Sequence, residues 1–167
     1  MGDRAALFTR GRFSVVEASI DDIPAVAARL RPGDLREIAA CGFQEQDAET
    51  AIRTSMALSP LICLTGMMDD TPAAMFGVAA AGLLSTSGRP WMLGTDIIDL
   101  PAAQRALLAF SRQVADLMRR HYDYLENYVD TRYTAAVRWV RWMGFTLEPP
   151  VPYGIHGELF HRFWWKR

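Results

Sequence analysis

The sequence predicts an α/β protein: one mixed, twisted β-sheet of about six or seven strands, flanked by about four or five helices. Three observations carry that expectation. Segments with strand-like alternation and segments with helical periodicity follow one another in the order β-α-α-β-β-β-α-β-α-β-β. The second half of that order, β-α-β-α-β, asks for right-handed crossovers onto a common sheet. The 167 residues, half of them hydrophobic and 22% charged, suffice for one domain with a sizeable core.

Residues 1–12 read as an N-terminal extension, and Phe13 to Ala18 alternates as the first strand. Ser19 or Asp21 caps a helix that carries Pro24 in an early turn, where a missing N–H costs little. That helix runs through Val26 and Leu30 and stops near Pro32-Gly33. Asp34 caps a second short helix from Leu35 to Cys41, ended by Gly42. A third run, Gln44 to Leu58, puts Ala48, Ala51, Ile52, Ser55 and Met56 on one stripe. Leu61–Met67, Ala73–Ala81 and Pro90–Thr95 read as strands, with a turn at Asp69-Asp70-Thr71-Pro72 between the first two. Pro101 opens the longest helix, apolar along Ala103, Leu107, Phe110, Val114, Leu117 and Met118. Arg105, Arg112, Arg119 and Arg120 take its other side. Tyr124–Asp130 alternates as a strand and a last helix follows, in which Ala136, Val140 and Met143 face the sheet. Phe145–Glu148 and Leu159–Trp164 then close the chain as a pair around a Pro-rich loop over 149–154.

Composition excludes several function classes. A net charge of −1 offers no global basic field, so no nucleic-acid role is expected unless the local Arg patches gather on one face. No signal peptide and no membrane span are expected, because the N-terminal residues lack an apolar stretch and the most apolar window, 72–84, is too short. Gly2 alone does not make a myristoylation signal, since Ala6 stands where Ser or Thr is wanted. Cys41 and Cys63 read as buried thiols in a reducing cytoplasm. With His121, His156 and His161 far from both, no metal site is expected.

The element order, together with the final helix that carries Ala136 and ends in Gly144-Phe145, resembles the GNAT superfamily of acetyl-CoA-dependent N-acetyltransferases over residues 13–165. Within it, the stretch WMLGTDIIDL and the later MRRHYDYLENYVDTRYTAAVRWVRWMGF are similar to the internal virion protein A family of short-tailed phages. That resemblance implies a GNAT-like core in a phage or prophage protein made in a bacterial host's cytoplasm and packaged in, or associated with, a virion. Expected partners are virion or assembly components, or a second copy in a homodimer.

The GNAT resemblance also implies acetyl-CoA, held at a Gly-rich loop and a helix N-terminus whose backbone N–H groups meet the pyrophosphate. Here Asp99, Leu100, Ala102 and Gln104 stand at the Arg and three Gly positions of that loop. Asp99 would repel the phosphates or cap the helix. Candidate cofactor residues are Leu93, Gly94 and Thr95 at the strand end, with Ala102, Ala103 and Gln104 at the helix end. Val140 occupies the position of the family's Tyr general acid, and Tyr133 that of an Asn at the helix start. A base for the incoming amine would come from Asp96, Glu126 or Asp130, each of which also reads as a solvated or paired carboxylate. His156 and His161 line the substrate side or lie exposed on the closing hairpin.

In the last helix, Trp139 and Trp142 share a flank with Arg138 four residues before Trp142, a spacing that stacks guanidinium on indole. Arg138, Trp139, Arg141 and Trp142, with Trp165, form a candidate partner-binding patch or finish the core. The two expectations for function are therefore a phage virion or assembly protein with acetyl transfer lost or altered, and an active N-acetyltransferase acting on a small or protein amine.

Overall fold

The structure, a computed structural model, describes residues 4–44, 47–82 and 85–167. The Gly2 reading, part of the third helical run and the end of the 72–84 window lie outside those residues. Eight strands form one sheet in the order β1-β2-β3-β4-β5-β6-β8-β7: β1 Ala6–Arg10, β2 Phe13–Glu17, β3 Cys63–Met68, β4 Thr71–Ala80, β5 Ser87–Gly94, β6 Tyr124–Asp130, β7 Thr146–Tyr153 and β8 Glu158–Lys166. Neighbours pair antiparallel except β5 and β6, which run parallel because α4 crosses over between them. Helices are α1 Ile23–Ala27, α2 Pro32–Ala40, α3 Ala48–Ala57, α4 Pro101–His121 and α5 Thr134–Trp142.

Strand alternation sorts the side chains onto two faces. Phe76 and Val78 of β4, with Leu125 and Val129 of β6, meet Val114 and Met118 of α4 and Val137 and Val140 of α5. Met75 and Leu93 face the other way, onto Ile23, Val26, Ala51 and Ile52 of α1 and α3. On this second face β6 presents Tyr124, Glu126, Tyr128 and Asp130.

Four expectations are corrected. Residues 6–10 are not a loose extension but an edge strand, anchored where Arg4 grips buried Asp22 at 2.7 Å. Pro32-Gly33 starts α2 rather than ending α1, because proline fits a first helical turn and the chain has already turned at Ala28 to Arg31. Asp34 does not cap that helix; its carboxylate is drawn inward to Arg31. Residues 149–153 are strand, not loop: β7 is an edge strand, where prolines lacking an N–H are tolerated. The thiols differ as well, Cys41 being exposed and Cys63 only partly covered.

Candidate functional site

Strands β5 and β6 pair only at Ser87 with Tyr124 and Gly88 with Leu125. Past that point the Asn127 amide reaches the Pro90 carbonyl at 2.9 Å and the strands separate. This splay is where the sequence places its cofactor and base residues, and α2 lies across it. Arg31 N–H donates to the Gly94 carbonyl at 3.1 Å, and the Gly94 N–H helps to offset the burial of the Asp34 carboxyl. On the far side, Asp130 N–H donates to Glu37 Oε1 at 3.1 Å. Backbone groups that a parting sheet would leave open are thus taken by α2 and the residue before it, through the Arg31 backbone and the Glu37 side chain.

The helix fits because Arg31, Asp34 and Glu37 recur every three residues along one side and Gly33 lets the backbone approach. A Cβ at Gly33 would run into the Tyr133 ring, and one at Gly94 would lie 2.8 Å from the Arg31 guanidinium. Asp34 is 2% exposed and accepts from Arg31 Nε at 2.7 Å and from the Tyr133 hydroxyl at 3.4 Å. The Arg31 guanidinium also lies 5.4 Å from the centre of the Tyr133 ring.

Burial dominates the electrostatics. It pushes Glu37 up to about 8, with Asp34 and Asp130 adding repulsion that the Asp130 N–H and Arg31 only partly offset. Burial likewise lifts Asp34 above the ordinary carboxyl range despite Arg31, and keeps the Tyr133 phenol protonated, with Asp34 reinforcing the effect. The splay therefore holds one cation and a neutral phenol around carboxyls that resist ionisation.

The connection from β5 to α4, where a pyrophosphate would sit, is built differently from a Gly-rich loop. It folds as a 3-10 turn, Asp96–Asp99, anchored by buried Ile97 and Ile98. Its N–H groups are engaged within the chain: Thr95 to Ala73 O, Asp96 to Arg29 O, Ile97 to Thr95 Oγ1, Ile98 to Thr95 O and Leu100 to Ile97 O. Pro101 has no N–H to offer, and Gln104 N–H bonds Leu100 O. Two exposed carboxylates, Asp96 and Asp99, flank this turn, the first paired with Arg29 at 2.7 Å and the second 3.8 Å from Arg31. Asp99 does not cap α4, whose N-cap position is Leu100, so the capping expectation is corrected. The first turn of α4 leaves the Ala102 and Ala103 N–H groups open, as a helix N-terminus does, but two exposed acids and no glycine stand beside them, a poor fit for a bound acetyl-CoA pyrophosphate.

Of the sequence-predicted site residues, Tyr133 and Gly94 both meet the Arg31–Asp34 pair at the splay, while Thr95 is buried with its hydroxyl donating to the Ala73 carbonyl and Leu93 is buried in the core. Asp96 points to solvent, 62% exposed. Ala102 and Gln104 are exposed at the start of α4 and Ala103 is buried. Glu126 belongs to a separate network nearer the start of β6. There Arg162 donates to Glu126 at 2.6 Å, to the Tyr124 hydroxyl at 2.6 Å and to Glu148 at 2.9 Å. Asp130 is fully buried and doubly bonded by Arg132, which outweighs burial and keeps its carboxyl low. His161 bonds the Glu148 carbonyl at 2.8 Å, and His156 is exposed. Val140 is buried on the opposite face of the sheet from α2, far from any proton-donating role.

The aromatic patch divides. Trp139 donates its indole N–H to Ser111 at 2.7 Å and packs on the core, as does Trp165 beneath the Arg119 guanidinium. Trp142 is 50% exposed, with Arg112 of α4 rather than Arg138 over its ring at 4.9 Å; Arg138 and Arg141 are exposed. Reading the sequence alone missed Arg31, Asp34 and Glu37 as site residues. Their three-residue spacing was the signal, masked by reading Pro32-Gly33 as a stop.

The fold is that of the GNAT acetyltransferases. No family model and no curated relative matches the chain, but solved structures do. One is yncA of Salmonella typhimurium, solved with its cofactor acetyl-CoA, at 11% identity and a TM-score of 0.62 over 93% of this chain and 94% of that one. A GNAT-family acetyltransferase of Streptococcus pneumoniae matches at 14% identity and 0.62, over 92% and 98%. RimL, the ribosomal L7/L12 alpha-N-protein acetyltransferase solved with coenzyme A, matches at 9% identity and 0.61, over 97% and 98%.

Proposed function

We propose that this chain is a GNAT-fold protein whose acetyl transfer has been lost and whose role is binding rather than turnover. The observation that carries this reading is the turn from Thr95 to Leu100, in which the N–H groups of Thr95, Asp96, Ile97, Ile98 and Leu100 are engaged within the chain and two acids stand exposed. Occupation of the splay by α2 supports it. The sequence resemblance to internal virion protein A supports placing that binding role in phage assembly, in a bacterial host's cytoplasm or in the virion. Calorimetry with acetyl-CoA and with CoA tests the central claim: no heat is expected at millimolar ligand, and micromolar binding would sink it. Mass spectrometry of purified particles tests the assembly role, which fails if the chain is made during infection and is absent from both virions and assembly intermediates.

A second reading, an active N-acetyltransferase with a divergent cofactor site, rests on Glu37. A carboxyl pushed up to about 8, one helical turn from the Asp34 that holds a phenol and a guanidinium in a sheet splay, has the properties of a proton acceptor for an amine. Turnover with an amine panel separates the readings. Acetylation that falls about 100-fold in Glu37→Gln and is untouched in Asp96→Ala would establish the second.

A further inference from the structure

The arginines of α4 and α5 gather on one face of the molecule. These two helices hold Arg105, Arg112, Arg119, Arg120, Arg138 and Arg141 against a single carboxylate, Asp116. A chain with net charge −1 thus has its charge strongly segregated, with a basic face opposite the carboxyls of the splay. Many arginines elsewhere are neutralised at short range, as Arg12 is by Asp69, Arg29 by Asp96 and Arg132 by Asp130, whereas Arg10, Arg36 and Arg89 stand apart from one another without a carboxylate in reach among the described residues. On this face only Arg119 has a carboxylate within reach, Asp116 at 3.9 Å; the other five guanidiniums have none among the described residues.

The helices act as one surface. Trp139 is tied to Ser111, Arg119 donates to the Met143 carbonyl at 2.7 Å, and Arg112 lies over Trp142. Arg105, Arg112 and Arg119 recur every seven residues, a spacing that returns to within about 20° of the same side. They make a row about 21 Å long at 1.5 Å per residue, open at Arg105 and Arg112 and ending at Arg119, which is engaged with Met143 and Trp165. At about 3.4 Å per nucleotide, that row spans roughly six phosphates of one strand. These helices carry arginine and no lysine, and the planar fork of arginine matches phosphate oxygens. Beside the row stands half-exposed Trp142, an aromatic platform of the kind on which unpaired bases stack.

We propose that the α4–α5 face binds single-stranded nucleic acid without sequence readout, the arginines holding phosphates and Trp142 stacking a base. The proposal is independent of whether acetyl transfer is lost.

Fluorescence anisotropy of the full chain with labelled dT20, a duplex of equal length, and a salt series tests it. Binding to dT20 should weaken with salt at a log–log slope of about −3, as four or five phosphate contacts require. Arg138→Glu with Arg141→Glu should lower affinity at least about tenfold and flatten that slope by more than about 1. Arg105→Glu with Arg112→Glu repeats the test on the other helix. Arg36→Glu with Arg53→Glu, the same charge change on the opposite face, should leave binding within about twofold. Trp142→Ala should weaken dT20 by about tenfold and spare the duplex. The proposal is overturned if dT20 does not bind at low salt, or if both face variants bind like the parent. It is also overturned if phosphatidylglycerol vesicles are bound and dT20 is not, or if Trp142→Ala leaves dT20 binding unchanged.

Discussion

Glu37 is the residue whose chemistry departs furthest from its ordinary state. Its carboxyl is held near 8 in the folded chain against 4.5 in the open one, so the native state binds the extra proton. Stability should therefore fall as pH rises from about 4.5 to about 8, the opposite of the usual carboxylate behaviour. Glu37→Gln keeps an acceptor for Asp130 N–H and removes the titration. Urea unfolding should show this variant about 1–3 kcal/mol more stable than the parent at pH 8, with little difference at pH 5. Equal stabilities at both pH values would refute this account of Glu37. Asp22 shows the contrary sign. Burial alone would raise it, but bonds from Arg4, Thr65 and the Ser19 N–H outweigh that and hold the carboxyl low. Its contribution is present above the unfolded value near 4 and is lost as pH falls. Gly33→Ala should cost about 1–3 kcal/mol in urea unfolding, because its Cβ meets the Tyr133 ring and α2 must lift from the splay.

At the scale of elements, α5 separates two kinds of tryptophan. Trp139→Ala removes a ring packed on the core and the donor to the Ser111 hydroxyl, which keeps only its own bond to the Leu107 carbonyl, so unfolding should lose about 2–4 kcal/mol. Trp142→Ala removes an exposed ring under Arg112 and should change stability by less than about 1 kcal/mol. Equal losses in thermal melts of the two variants would mean Trp142 is core as well. Periodicity made α4, β6 and α5 legible: Pro101 opens α4, and Tyr124–Asp130 is a strand over the whole expected range. It failed at α2 and β7 for the same reason. Proline is read as a breaker, yet it is acceptable at a helix's first turn and on a sheet edge, and only neighbours decide whether a position is either. β1 escaped notice because it is a short edge strand, ALFTR, whose residues do not alternate apolar and polar and of which four are exposed.

For the whole molecule, the bond pattern at the splay and at the Asp96–Asp99 turn predicts that CoA will not act as a stabilising ligand. Were CoA bound at 100 times its Kd, unfolding would be harder by about 2.7 kcal/mol. We expect 1 mM CoA to leave Tm within about 1 °C, and a clear upward shift in a thermal melt would contradict it. Among the described residues no helix is long and apolar enough to cross a membrane, and no cluster of metal-ligating side chains occurs.

The sequence by itself determined the class of fold and the missing glycines ahead of α4, because hydrophobic period and residue type are local properties. Val140 stands where the GNAT resemblance implies a phenolic acid, a placement that rests on that resemblance. Only the tertiary structure decided that α2 fills the parted sheet and that Arg31, Glu37 and Tyr133, each half-buried, gather around buried Asp34, since Arg31 and Tyr133 lie about a hundred residues apart. It likewise gathered dispersed arginines into one face of a chain whose net charge is near zero. Net charge is a sum over the chain, whereas the field at a surface depends on where each charge is placed, and placement is what folding adds.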